Sequence, residues 1–119
     1  MAENRAESDL AIAQTVIPGA YLEDLCYHAQ QCCEKALKAV LLSRTGSFPY
    51  VHDLAELVTK VGETGLPVPK RLQPAVALTE YAVAGRYPGL SEPVTEAQWR
   101  KAVVHARAVL AWAAQQVGQ

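Results

Sequence analysis

Apolar positions recur every three or four residues along most of the chain, which is the period of an amphipathic α-helix. Proline and glycine interrupt this pattern and divide the chain into five helical segments. The segments are predicted near residues 6–17, 21–44, 53–61, 72–84 and 95–117. No alternation of apolar and polar residues persists, so we expect no strands. The fold class is therefore predicted to be all-α: an up-and-down antiparallel bundle of four to five helices, forming a single domain over residues 1–119.

The two longest segments carry broad apolar faces. In the second segment the stripe comprises Leu22, Cys26, Ala29, Cys33, Ala36 and Val40, widened by Leu25, Cys32 and Ala39. In the fifth it comprises Trp99, Val103, Ala106, Leu110, Ala113 and Val117. We expect such faces to bury more surface than a small monomer covers alone, which predicts a homodimer joined along these helices.

Local residue chemistry refines the helix ends and the polar faces. Ser8 or Asp9 is expected to cap the first helix, and Thr95 the fifth. Pro74 is compatible with the fourth helix only in its first turn, and Asp53 is the expected cap of the third. Glu34 and Lys38 lie four residues apart in the order that favours an ion pair on a helix surface.

The charge balance argues against a protein whose overall field binds nucleic acid or membranes. Eleven lysines and arginines face twelve acidic residues, for a net charge of −1, so any phosphate contact must come from a local cluster. The first ten residues are charged and contain no apolar core of a secretory signal. No apolar stretch is long enough to span a bilayer. We therefore expect a cytoplasmic protein with no membrane association.

The three cysteines suggest neither a disulfide nor a metal centre. Cys26, Cys32 and Cys33 fall within one predicted helix, where neighbouring thiols cannot easily bridge. His28 and Cys32 are four residues apart and could share a metal, but a closed site needs two more ligands, and the other thiols point elsewhere. Small buried thiols are the expected role, with no metal and no cofactor.

Four short elements carry a resemblance to a known family. Residues 27–39, with the sequence YHAQQCCEKALKA, resemble the second helix of the HEPN family, for which (A/H)-Q-Q-x-x-E-K-x-x-K-A is typical. Residues 6–10 resemble its A-x-x-D-L opening, and residues 52–57 its H-x-L-x-x-L segment. Tyr81 with Arg86-Tyr87-Pro88 resembles its Y-x-x-x-x-R-Y-P element. The elements agree in order and spacing over nearly the whole chain.

The resemblance implies a helical bundle that is commonly dimeric and often encoded beside a minimal nucleotidyltransferase acting as antitoxin or partner. It suggests a component of a two-gene toxin–antitoxin-type system, working as a nucleotide-binding or partner-binding module. A metal-independent endoribonuclease toxin is the alternative, with RNA as its substrate. A plain helical dimerisation domain is a third interpretation.

Ribonuclease members of the family use an R-x(4–6)-H motif, in which histidine is the general acid–base and arginine binds the scissile phosphate. Arg100 and His105 have this spacing and are the candidate catalytic pair. Lys101 replaces the polar residue that usually follows the arginine, and Arg107 stands where some toxins carry tyrosine. On a helix the pair lies about 140° apart, so it would meet only through long side chains or across a dimer. An ordinary exposed or interfacial histidine is the competing interpretation.

A second candidate site is a nucleotide or phosphate pocket. Lys35 and Lys38 lie three residues apart on the second predicted helix, close enough to act on one anion, and His52, Arg86 and Tyr87 are the other candidates. A solvated helix face is the competing interpretation for the lysines. For the Arg-Tyr-Pro element, the competing interpretation is a structural role, in which Arg86 caps helix carbonyls and Tyr87 packs under the bundle end.

Overall fold

Five helices make up the described part of the chain. The structure, a computed structural model, describes residues 2–82 and 93–118. These residues form α1 (Ala2–Ala13), α2 (Leu22–Thr45), α3 (Leu54–Glu63), a 3-10 helix (Lys70–Ala82) and α4 (Glu96–Val117), with no strand among them. The prediction of an all-α helical bundle is confirmed. No helix among these residues combines the length and apolarity that a membrane span requires.

The central element is α2, which contacts each of the other four helices. Its 24 residues make it about 36 Å long, close to the 41 Å longest dimension of the molecule. The predicted stripes of α2 and α4 are buried, except for Leu22 and Val117, which are partly buried. A single chain thus covers both faces. The expectation that these faces need a second chain is wrong, because α1, α3 and the 3-10 helix surround α2 together with α4.

The first helix is displaced from its predicted position. It begins at Ala2 and ends at Ala13, so neither Ser8 nor Asp9 caps it and both lie inside it. Its final turn tightens, since the Thr15 amide bonds to the Ile12 carbonyl and the Thr15 hydroxyl donates to the Ala11 carbonyl. Asp9 instead directs a buried side chain toward α2.

The fourth predicted helix is a 3-10 helix, not an α-helix. It begins at Lys70, where the Leu72 amide bonds three residues back to the Pro69 carbonyl. Pro74 therefore lies beyond the first turn, contrary to prediction, and has no amide hydrogen for an α-helical bond to Lys70. The element still buries Leu72, Ala75, Leu78 and Tyr81 against the core.

The predicted caps of α3 and α4 are confirmed. Asp53 Oδ1 accepts from the Ala55 amide at 2.9 Å. Thr95 and Gln98 form a reciprocal capping box: Thr95 Oγ1 accepts from the Gln98 amide at 3.1 Å, and Gln98 Oε1 from the Thr95 amide at 2.8 Å. Gly46 ends α2 with φ 84°, a left-handed conformation that glycine adopts without strain.

Candidate functional site

A buried carboxylate on α1 holds the first of the two candidate lysines. The side chain of Asp9 is 8% exposed, and its Oδ2 accepts from Lys35 Nζ at 2.6 Å. Its Oδ1 lies 2.8 Å from His28 Nδ1. Because burying an unpaired carboxylate is costly, Lys35 and His28 make the burial of Asp9 tolerable and fasten α1 to α2.

A second buried carboxylate holds the other lysine. Glu34 accepts from Lys38 Nζ at 3.0 Å and from Gln30 Nε2 at 3.1 Å, and its Oε1 lies 3.0 Å from His52 Nδ1. Burial alone would raise the pKa of Glu34, but the hydrogen bonds from Gln30, His52 and Lys38 outweigh it and lower the pKa below its ordinary value of 4.5. The predicted Glu34–Lys38 pair is thus present, but it is buried and not on the surface.

These contacts decide how the predicted phosphate pocket is arranged. Lys35 and Lys38 share α2, yet each ammonium group is paired with a different carboxylate, so an anion would have to compete with Asp9 and Glu34. His52 is joined to the same network through Glu34. The other two candidates, Arg86 and Tyr87, lie outside the described residues. Glu34 was predicted as the partner of Lys38, whereas Asp9 was missed as the partner of Lys35, although it falls inside the A-x-x-D-L element.

The candidate arginine of the ribonuclease motif borders a groove between the end of α1 and α4. Arg100 is exposed, and its Nη2 donates to Glu96 Oε1 at 2.7 Å. The groove, here the Arg100 groove, has a volume of about 350 Å³ and is lined by Gln14, Val16, Glu96, Trp99, Arg100, Val103, Val104 and Arg107. Trp99 Nε1 donates to the Ala13 carbonyl at 2.7 Å, which holds α1 and α4 together at this groove.

The candidate histidine borders a different groove, here the His105 groove, with a volume of about 360 Å³. Its α4 wall is formed by Gln98, Lys101, Ala102 and His105. Its opposite wall, on the 3-10 helix, is formed by Pro74, Ala77, Leu78, Glu80 and Tyr81. Partial burial lowers the pKa of His105 below 6.5, and the Lys101 ammonium lowers it further, so the imidazole is neutral at pH 7.

Within one chain, the structure does not bring Arg100 and His105 into one groove. The neighbour of Arg100 does share the groove of His105, because Lys101 and His105 lie four residues apart on one face of α4. Lys101 was not among the predicted site residues. Its i, i+4 spacing from His105 was the signal that could have identified it.

Burial keeps the three cysteines in the thiol form at neutral pH. All three are free and buried. Burial raises the pKa of Cys26 to about 11 and that of Cys32 to about 12, and it raises that of Cys33 as well, so the thiols stay protonated. Residues 2–82 and 93–118 contain no group of three His, Cys, Asp or Glu side chains arranged to hold a metal ion.

Comparison with known proteins agrees with this fold. The profile of the HEPN domain matches residues 3–117. The crystal structure of TT1696 from Thermus thermophilus superposes with a TM-score of 0.80 at 28% sequence identity, covering 97% of this chain and 94% of that one. A 38-residue stretch is 50% identical to "Putative toxin MJ1304" of Methanocaldococcus jannaschii. The stretch covers 32% of this chain and 25% of that relative. With a match over nearly its whole length, the chain belongs to the HEPN domain family.

Proposed function

We propose that this chain is the HEPN component of a two-gene toxin–antitoxin-type system and acts as a nucleotide-binding or partner-binding module for a minimal nucleotidyltransferase. Membership of the HEPN family and the stretch shared with a relative named as a toxin support the toxin type. The cytoplasmic location, the homodimer and the partner enzyme stay predictions.

The observation that carries a binding role is the separation of Arg100 from His105. The two side chains of the ribonuclease motif line different grooves of one chain, and Arg100 is paired with Glu96. One chain therefore has one of these grooves on each side of α4, and neither groove contains both residues of the motif. Two separate recognition surfaces suit a module that binds a partner and a small ligand.

The Arg100 groove is the surface we assign to the partner protein. Val16 is 76% exposed and Val104 is 59% exposed, and both line this groove together with Arg100 and Arg107. Exposed apolar side chains beside Arg107, which bonds to Gln14 and to no carboxylate among the described residues, fit a partner segment that presents apolar residues and a carboxylate. Docking there leaves the His105 groove open.

Replacing Val104 by aspartate is expected to weaken capture of the nucleotidyltransferase at least tenfold, because the new carboxylate would be buried without a partner. The measurement is co-purification from cells that express this chain with the minimal nucleotidyltransferase of the same genome. Leu42→Asp is the matched control, since Leu42 is 42% exposed but lies outside the Arg100 groove. Equal capture of the wild type and the Val104 variant, or no capture of the enzyme by the wild type, would contradict the proposal. Light scattering on the same samples measures the oligomeric state.

A metal-independent ribonuclease is the second candidate function, and the His105 groove favours it. A histidine that is neutral at pH 7 can accept a proton from a ribose hydroxyl, and the Lys101 ammonium at the same groove can stabilise a developing phosphorane. This arrangement requires no metal ion.

If the chain cuts RNA, His105→Ala is expected to reduce cleavage by about a hundredfold or more, as loss of a general acid–base does. Cleavage of labelled RNA is followed in EDTA, with circular dichroism to check folding. Arg107→Ala is the control, because Arg107 is exposed on the opposite side of α4, where it bonds to Gln14. Absence of cleavage by the wild type with all RNAs would remove this function.

A further inference from the structure

Two walls of different chemistry face each other across the His105 groove. The α4 wall carries Lys101 and His105, and the wall of the 3-10 helix carries apolar side chains together with Glu80 and Tyr81. We infer that this groove binds a nucleotide, with its phosphate at Lys101 and His105 and its base against Pro74 and Ala77 on the opposite wall. The inference deepens the nucleotide-binding part of the proposed function and assigns that role to residues other than the α2 lysines.

The cation best placed to take a phosphate is Lys101. It is exposed and forms no ion pair within residues 2–82 and 93–118, whereas Lys35, Lys38 and Arg100 are each paired with a carboxylate. An incoming phosphate therefore displaces no existing partner at Lys101. His105 lies four residues further along the same helix face and can donate a hydrogen bond to a phosphate oxygen.

The opposite wall suits a nucleobase. Pro74 and Ala77 are exposed and give this wall its apolar surface, whereas Leu78, at 5% exposed, is already covered. The volume of about 360 Å³ is within the range of sites for small ligands. A flat base that covers Pro74 and Ala77 removes apolar surface from water.

Glu80 selects among phosphate-bearing ligands. It is the carboxylate among the described lining residues, and it stands on the wall opposite Lys101. A bare phosphate gains the attraction of Lys101 but meets the negative field of Glu80 without compensation. A base with an exocyclic amino group can donate a hydrogen bond to Glu80 while its phosphate remains at Lys101. We therefore expect adenosine monophosphate to bind more tightly than inorganic phosphate.

Adjacent residues of α4 provide a matched pair of variants. Lys101 and Arg100 are both exposed and cationic, but Lys101 lines the His105 groove and Arg100 lines the Arg100 groove. Lys101→Ala is expected to weaken binding of adenosine monophosphate about tenfold or more, the effect of losing a charge-assisted hydrogen bond. Arg100→Ala is expected to change it less than twofold. Calorimetry measures the free nucleotide, and fluorescence anisotropy measures a labelled oligoadenylate.

The two probes distinguish the sources of the nucleotide. Oligoadenylate binding more tightly than adenosine monophosphate, with the same dependence on Lys101, supports the inference and makes RNA the ligand. The reverse order supports it with a free nucleotide as the ligand. Equal effects of the two alanine variants, or no binding of either probe at millimolar concentration, would overturn the inference. The proposed capture of the nucleotidyltransferase depends on Val104, on the other side of α4. Partner capture can therefore fail while nucleotide binding holds, and nucleotide binding can fail while partner capture holds.

Discussion

Replacing Glu34 by alanine is expected to lower the free energy of unfolding by about 3 kcal/mol, which is the usual cost of breaking a buried ion pair from one side. The Glu34 side chain is 5% exposed and accepts hydrogen bonds from Gln30 and Lys38, with His52 beside it. Its removal leaves the Lys38 ammonium, which is only 11% exposed, without a carboxylate. Urea unfolding followed by circular dichroism measures the loss. Glu56→Ala, on an exposed part of α3, is the control and should change stability by less than about 0.5 kcal/mol.

The contribution of Glu34 to the free energy of unfolding is expected to depend on pH. Because the folded state lowers the pKa of Glu34, its contribution to stability is fully present above the unfolded value of 4.5 and is lost as the pH falls through the folded pKa. The difference in stability between the wild type and Glu34→Gln should therefore be largest near neutral pH and shrink in acid below 4.5. A difference that stays constant from pH 7 to acid would contradict the role of a charged Glu34.

Replacing Trp99 by alanine is expected to cost about 4 kcal/mol, within the range for removing a large aromatic side chain from a core. Trp99 is 9% exposed, belongs to the buried cluster and bonds to the Ala13 carbonyl. It therefore contributes both apolar burial and the polar contact that holds the end of α1 on α4. Thermal and urea unfolding of the variant measure the loss.

Two further variants separate these contributions. Trp99→Phe keeps an aromatic ring but removes the indole donor, so it should lose about 1 kcal/mol for the hydrogen bond and some more for the smaller ring. Val104→Ala shortens an exposed side chain further along α4, so it should change stability by less than about 0.5 kcal/mol. If Trp99→Ala were as mild as Val104→Ala, Trp99 would not be a core residue.

The helix positions could be predicted because their signals are local. The stripes of α2 and α4, the caps at Asp53 and Thr95, and the glycine after α2 depend on residues a few positions apart. The errors occurred where tertiary contacts override such signals. Asp9 was predicted as a cap from its residue type, but its carboxylate is buried against α2. There it contacts His28 and Lys35, which follow it by 19 and 26 residues in the sequence.

The candidate sites show the same division. The i, i+4 spacing of Glu34 and Lys38 was sufficient to predict their ion pair, but their burial depends on the packing around α2. In the same way, helix geometry already placed Arg100 and His105 on different sides of α4. It could not say what each side faces.

The sequence by itself determined that this chain forms a helical bundle, that α2 and α4 carry its apolar faces, and that its motifs are those of the HEPN family. Only the tertiary structure decided that one chain covers α2 and that the 3-10 helix stands opposite Lys101 and His105. The physical reason is distance along the chain. A helical period is set by neighbours within a turn, whereas a groove or a buried charge pair is set by whichever element packs against that face.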